Sequence, residues 1–144
     1  MRTQVGIVGA GPAGLTLSLL LAQRGISSVV LEARPRAYVE SRVRAGLLEH
    51  NTVDVLRGLG VAERLEREGL VHHGILLRHD GRTLRIPMTD LTRRHVTVYG
   101  QQEVVKDLIA ARLAAGDPLL FDVSDVAVHD LESAAPRIAY THDG

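Results

Sequence analysis

Val5-Gly6-Ile7-Val8-Gly9-Ala10-Gly11-Pro12-Ala13-Gly14 opens the chain with an apolar run that breaks into glycines, and Ser28-Val29-Val30-Leu31-Glu32 follows as a second apolar run ending on an acid. In that order the residues predict strand, turn, helix, strand and carboxylate, the layout of a dinucleotide-binding βαβ unit. Gly9 lets the chain leave the first strand sharply, because a residue without Cβ tolerates positive φ. Gly11 removes the side chain that would hold a pyrophosphate away from the backbone, and Gly14 lets the following helix pack closely on the sheet. Pro12 suits the first helical turn, where its missing N–H is not needed. The helix itself is expected over Leu15 to Gln23, its N-terminus offering free N–H groups and a positive dipole end to phosphates. Glu32, 18 residues beyond Gly14, is placed to accept a hydrogen bond from a ribose hydroxyl.

Working outward, the 21 residues from Thr3 to Gln23 carry no charge and are flanked by Arg2 and Arg24, which is the length of a membrane span. Glycines at 6, 9, 11 and 14, with Pro12 among them, interrupt any continuous apolar helix, so neither a span nor an export signal is expected, and the cytoplasm is the expected compartment. At 144 residues and 45% hydrophobic content the chain can bury a core of one domain. It has no cysteine, which excludes disulfides and thiolate metal sites. Seventeen basic and 17 acidic residues cancel, leaving no global field to recruit nucleic acid or an anionic membrane. Locally, Arg34, Arg36, Arg42 and Arg44 follow Glu32 with Glu40 as the one acid among them. That cluster reads either as a solvated charged loop or as guanidinium contacts to phosphate or flavin; its place after the ribose-binding acid favours the second for at least two of the four.

Beyond residue 32 a helix is expected from about Thr52 to Leu59, with Asn51 as N-cap and Gly60 as its stop, and a second short helix from Val61 to Glu68. Gly74 to Arg78 and Arg82 to Ile86 flank Asp80-Gly81, a hairpin signal. His95 to Tyr99 alternates as a strand. Val104, Val105, Leu108, Ile109 and Leu113 recur at helical spacing from Gln101 to Ala115, predicting one apolar face. Leu119 to Val123, Val126 to Leu131 and Arg137 to Thr141 read as three further strands. His142-Asp143-Gly144 then spells a hairpin turn with no partner strand after it, so the sequence reads as cut off within a sheet. The fold class expected is α/β: a Rossmann-like βαβ unit with additional helices and β-hairpins, truncated, and filling residues 1–144 as one dinucleotide-binding domain.

Three further stretches point to a family: Arg42-Val43-Arg44-Ala45-Gly46-Leu47-Leu48-Glu49, Gly69-Leu70-Val71-His72, and Val98-Tyr99-Gly100-Gln101-Gln102-Glu103-Val104. Together with the glycine turn they closely resemble the 4-hydroxybenzoate 3-monooxygenase family of single-component FAD-dependent aromatic hydroxylases, matching the N-terminal third or so of such an enzyme. The resemblance implies that residues 1–144 are an FAD-binding domain, in which Gly9, Gly11, Ala13 and Gly14 hold the FAD pyrophosphate and Glu32 the adenosine ribose. It implies that Arg42, Val43, Arg44, Ala45, Gly46 and Leu47 run along the flavin, Arg44 contacting the cofactor and Ala45 to Leu47 offering backbone to the isoalloxazine. Gln101 is implied at the ribityl or phosphate region; on the residues alone it reads as a helix-start residue facing water.

His72 is the catalytic candidate. The resemblance implies that it carries a proton away from the phenol, which must ionise before its ring can be hydroxylated, and imidazole titrates near neutral pH. On the residues alone it reads equally as a surface histidine between Val71 and His73. No histidine pair has His-x-x-x-His spacing, so no metal is expected. The family commonly places an arginine directly after the acid, where this chain has Ala33; the choice between NADPH and NADH stays open, with Arg34 and Arg36 leaning it toward NADPH. Implied partners are a phenolic acid and O2, in a complete enzyme that is a homodimer, with no nucleic acid or membrane. The 144-residue chain alone is expected not to hydroxylate. Two other readings stay open: a nicotinamide-dependent reductase or dehydrogenase module, and a non-catalytic flavin-binding protein.

Overall fold

The computed structural model describes residues 1–142, so Asp143 and Gly144 of the expected terminal turn lie outside the described residues. The chain divides into two compact units, Met1–Arg42 with the chain from Val105 onward, and Val43–Val104.

In the first unit, β1 (Val5–Val8), α1 (Pro12–Ala22) and β2 (Ser28–Leu31) form the expected βαβ unit, with β1 and β2 parallel and Val5 opposite Ser28. A two-residue strand, β8 (Leu119–Leu120), pairs parallel to the other side of β2 and makes β2 the central strand. All four β2 residues are buried, as a strand covered on both faces requires. On one face Val29 and Leu31 join Val123, with Leu120, Val126, Ile138 and Tyr140 packed around them. Those last residues belong largely to the antiparallel pair β9 (Ser124–His129) and β10 (Arg137–Thr141). Gly6 permits this packing, because a Cβ there would strike the Ile138 side chain. Helix α1 packs on β1 and β2 with Leu15 and Leu19 buried. A short helix, α2 (Arg36–Ser41), follows Pro35 and carries part of the arginine cluster, a helix that the sequence does not signal.

The second unit is built on an antiparallel sheet in the order β3 (Leu47–Glu49), β7 (Val96–Val98), β4 (Leu70–His72). Helices α3 (His50–Gly58) and α4 (Glu63–Glu68) bury Val53, Leu56 and Leu65. Arg57 of α3 is raised above its usual value chiefly by its hydrogen bond to Glu66 of α4, at 2.6 Å. The hairpin β5 (Ile75–His79) and β6 (Arg82–Ile86) turns on Asp80 and Gly81, with φ of 47° and 70°, as expected of a two-residue turn with both central residues left-handed. A short helix, α5 (Met88–Thr92), follows it.

Several boundaries differ from the sequence expectation, each for a physical reason. Helix α1 begins three residues before Leu15, because Gly11 acts as N-cap and Pro12 is already helical. Helix α3 begins at His50 with Glu49 as N-cap, not at Asn51–Thr52, because β3 runs straight into it without a loop. Helix α4 starts at Glu63, since Val61 N–H still donates to Leu56 O at the end of the preceding turn. Strand β8 stops at Leu120 instead of Val123 because Asp122 takes φ 57°, although Val123 stays buried. Strand β9 runs Ser124–His129 and not Val126–Leu131; Asp125, at φ 51°, is the extra residue of a bulge opposite β10, and Asp130 at φ 56° ends the strand. On α6 (Gln101–Ala114), Val104, Val105, Leu108 and Ile109 are buried as expected, but Leu113 is 40% exposed. The residue one helical step beyond Leu108 is Arg112, and it is Arg112 that is buried.

Candidate functional site

The glycine turn of the first unit has the geometry the sequence asks of it. Gly9 leaves β1 at φ 110°, and its N–H donates to Leu31 O at 2.7 Å, tying the turn to the neighbouring strand. A Cβ on Gly14 would collide with Gly9 O, so glycine at 14 is a requirement of the turn itself. Gly11 is different: a Cβ there would meet nothing within 4 Å. No protein atom demands a glycine at 11, and the space beside it is the space a pyrophosphate needs to reach the backbone. Helix α1 has no side-chain cap and no acid in its first turn. Its first N–H groups are therefore not capped by a side chain and keep their hydrogen-bonding capacity.

Glu32 stands at the C-terminal end of β2, half-buried. Its Oε2 accepts from Ala10 N–H at 2.8 Å and its Oε1 from Arg34 N–H at 2.9 Å. One carboxylate thus ties the glycine turn to the segment after β2. Each oxygen keeps a further lone pair, enough to accept from a ribose hydroxyl. The donor set fits a dinucleotide: backbone N–H groups for phosphate and an oriented carboxylate for the sugar. In the arginine cluster, Arg36 pairs with Glu40 at 2.6 Å, while the guanidiniums of Arg34 and Arg42 lie 5.5 and 5.7 Å from the Tyr38 ring centroid.

In the second unit Val43, Arg44, Ala45 and Leu47 are exposed. The backbone of Ala45 and Gly46 extends the β3–β7 ladder by two bonds, Tyr99 N–H to Gly46 O at 2.8 Å and Gln101 N–H to Ala45 O at 3.2 Å. A Cβ on Gly46 would come within 3.3 Å of Gly100 Cα, so the two backbones run in close contact where β7 turns into α6. The structure thus brings Ala45, Gly46 and Gln101 together. His72 is exposed on the edge strand β4, opposite Val96, at the other end of this sheet from the Ala45–Gln101 corner.

Two features escaped the sequence. Arg64 of α4 donates to Tyr99 Oη from Nε at 3.1 Å and from Nη2 at 2.8 Å, and also reaches Glu103. Nothing in the sequence signals that contact, which spans 35 residues. The sheet register also aligns His50, His95 and His73 just beyond the Glu49–Val96–His72 row. The His50 and His95 rings meet edge to face with centroids 4.9 Å apart, and His73 and His95 at 6.2 Å. Among the described residues no three such side chains are disposed to hold a metal, and no helix is long and apolar enough to cross a membrane.

Comparison with known proteins agrees with this geometry. The chain is 44% identical to p-hydroxybenzoate hydroxylase of Acinetobacter baylyi over its whole length, which is 36% of that protein. It is 38% identical to 3-amino-4-hydroxybenzoate 2-monooxygenase of Streptomyces cremeus over 67% of the chain and 24% of that protein. The chain thus spans about a third or less of the length of these curated relatives. Its backbone superposes on PqsL of P. aeruginosa, solved with 2-aminobenzoylacetate, with a TM-score of 0.84 at 23% identity, covering 96% of this chain and 38% of that one. A family model described as FAD binding domain matches residues 2–144, and the chain belongs to that FAD-binding family.

Proposed function

We propose that this chain supplies the FAD-binding portion of a flavin-dependent aromatic monooxygenase that hydroxylates 4-hydroxybenzoate, or a closely similar phenolic acid, ortho to its hydroxyl, using NAD(P)H and O2. The observation that carries the reading is the 44% identity to p-hydroxybenzoate hydroxylase across the entire chain. When bound, FAD supplies the redox chemistry, accepting electrons from the nicotinamide and activating dioxygen.

The chain's own residues have narrower tasks. The N–H groups at the start of α1 and the open backbone at Gly11 bind the pyrophosphate, and Gly9, Ala13 and Gly14 shape that turn. Glu32, oriented by Ala10 and Arg34, accepts from the adenosine ribose. Arg42, Val43 and Arg44 lead to Ala45–Leu47, whose backbone meets the isoalloxazine, and Gln101 meets the ribityl chain. His72 accepts the proton that leaves the phenol and passes it to water, a role its exposure on β4 supports. Arg34 and Arg36 favour NADPH over NADH by offering guanidinium groups to a 2′-phosphate. The complete enzyme works as a homodimer in the cytoplasm.

A titration of the 144-residue chain with FAD, followed by flavin fluorescence with NADPH as competitor, tests the reading. Saturable FAD binding that NADPH displaces only weakly is expected. Binding of NADPH in preference to FAD would move the assignment to a nicotinamide-dependent reductase.

A further inference from the structure

We propose that Arg64 is a positioning residue for the flavin: through Tyr99 and Glu103 it sets the corner at Tyr99–Gly100–Gln101 on which Ala45 and Gly46 rest. The proposal rests on the reading that Ala45–Leu47 and Gln101 meet the flavin, and it adds what holds them there. The exposed segment before β3 is secured to the corner by two backbone bonds, to Gly46 O and Ala45 O. Its placement can therefore be no better defined than that of the corner itself.

The corner has one buried anchor. Tyr99 is 5% exposed, and its phenol oxygen accepts two hydrogen bonds from the same guanidinium, which also lies 5.9 Å from the ring centroid. A planar fork with two donors on one oxygen fixes direction as well as distance, which a lysine ammonium would not do. The same Nη2 is shared with Glu103, in the first turn of α6, where a carboxylate also suits the helix dipole. One side chain from α4 thus ties the end of β7 to the start of α6, on either side of Gly100. The corner cannot open or slide without breaking charge-assisted hydrogen bonds, each stronger than a neutral one.

The test compares FAD with ADP as ligands of the whole chain, because ADP needs only the glycine turn and Glu32. Tyr99→Phe keeps the buried ring and removes the acceptor; Arg64→Ala removes the donor. Each variant is expected to weaken FAD binding about tenfold, equivalent to about 1.4 kcal/mol, and to lower the fluorescence anisotropy of bound flavin. ADP affinity stays within about twofold of wild type, and the double variant is no weaker than either single one, as expected of residues acting through one contact. Undiminished FAD binding by Tyr99→Phe and Arg64→Ala overturns the proposal, as does a parallel loss of ADP and FAD affinity. A wild-type chain that binds ADP and rejects FAD overturns the flavin reading itself, and the proposal with it.

Discussion

Among the described residues, two three-stranded sheets are held together in opposite ways. In the parallel sheet β1–β2–β8 the central strand is buried along its whole length, and its residues alternate between a helix-covered face and the face under β9 and β10. In the antiparallel sheet β3–β7–β4 only Val96 and Thr97 of the central strand are buried, and β4 is exposed throughout. The first sheet gives the glycine turn a close-packed platform, in which small changes of volume are felt. The second is covered by helices that are themselves paired by Arg57 and Glu66, and Arg64 bonds Tyr99 just past the end of its central strand. The two sheets therefore offer different support: a turn that does not deform under phosphate in the first unit, and a segment set by a few bonds in the second.

The contrast is sharpest between two arginines. Arg112 is 1% exposed, and its guanidinium donates to the carbonyls of Ser18, Ser28 and Pro118, at 3.4, 2.6 and 3.2 Å, and to Asp117 at 3.2 Å. It thereby locks the end of α6 to α1 and to the starts of β2 and β8. Burial holds it below the usual arginine value, and Asp117 offsets only part of that. Arg112→Ala leaves buried carbonyls short of a donor and opens a void, and is expected to lower unfolding stability by about 3–5 kcal/mol in urea denaturation. Arg57→Ala, which breaks two solvent-exposed ion pairs, is expected to lower it by about 0–1 kcal/mol. Equal losses at the two positions would break the distinction between a buried guanidinium that saturates main-chain carbonyls and a solvent-exposed ion pair.

Within the first unit a smaller effect separates what the fold needs from what the ligand needs. Gly14→Ala drives a Cβ into the Gly9 carbonyl and against Ile7, with backbone as the obstacle. It is expected to destabilise the chain by about 1–3 kcal/mol. Gly11→Ala meets open space, so stability is expected to stay within about 0.5 kcal/mol of wild type, while FAD affinity falls at least about tenfold. Thermal unfolding and FAD titration of the two variants check this. A Gly11→Ala chain that binds FAD normally would place the pyrophosphate away from this turn.

The glycine turn was legible because its determinants are local. Gly9, Pro12 and Gly14 act on neighbouring backbone, and the strand, turn and helix that they punctuate follow each other without interruption. The hairpin at Asp80-Gly81 was legible for the same reason. Strands β3 and β4, three residues each, were not predicted as strands, because they are too short for alternation and exist by pairing with β7. Arg112 was invisible because a charged residue on an apolar helix face is ordinarily assigned to solvent, and its carbonyl partners lie as far as 94 residues away. The segment Arg42–Leu47 was picked out by family resemblance, and the reason it can be held, its ladder to Tyr99 and Gln101, is a tertiary fact.

His72 yields the smallest expected change in binding and stability, and it is the position at which exposure and chemistry can be separated. It lies on an edge strand with neither neighbour in β4 buried, so His72→Asn removes little packing and should shift stability by no more than about 0.5 kcal/mol. It belongs to the far end of the antiparallel sheet from the Ala45–Gln101 corner, so FAD affinity should be unchanged. Asparagine keeps a polar side chain that can hydrogen-bond but removes the imidazole that could take up and pass on a proton. If His72 carries the phenol's proton to water, stopped-flow measurement with a pH indicator in the complete hydroxylase should show slower proton release when the phenolic acid binds. Release at the wild-type rate would return His72 to the status of a surface histidine. The same result would leave the glycine turn, Glu32 and the Arg64-held corner untouched, because none of them depends on a proton moving through β4.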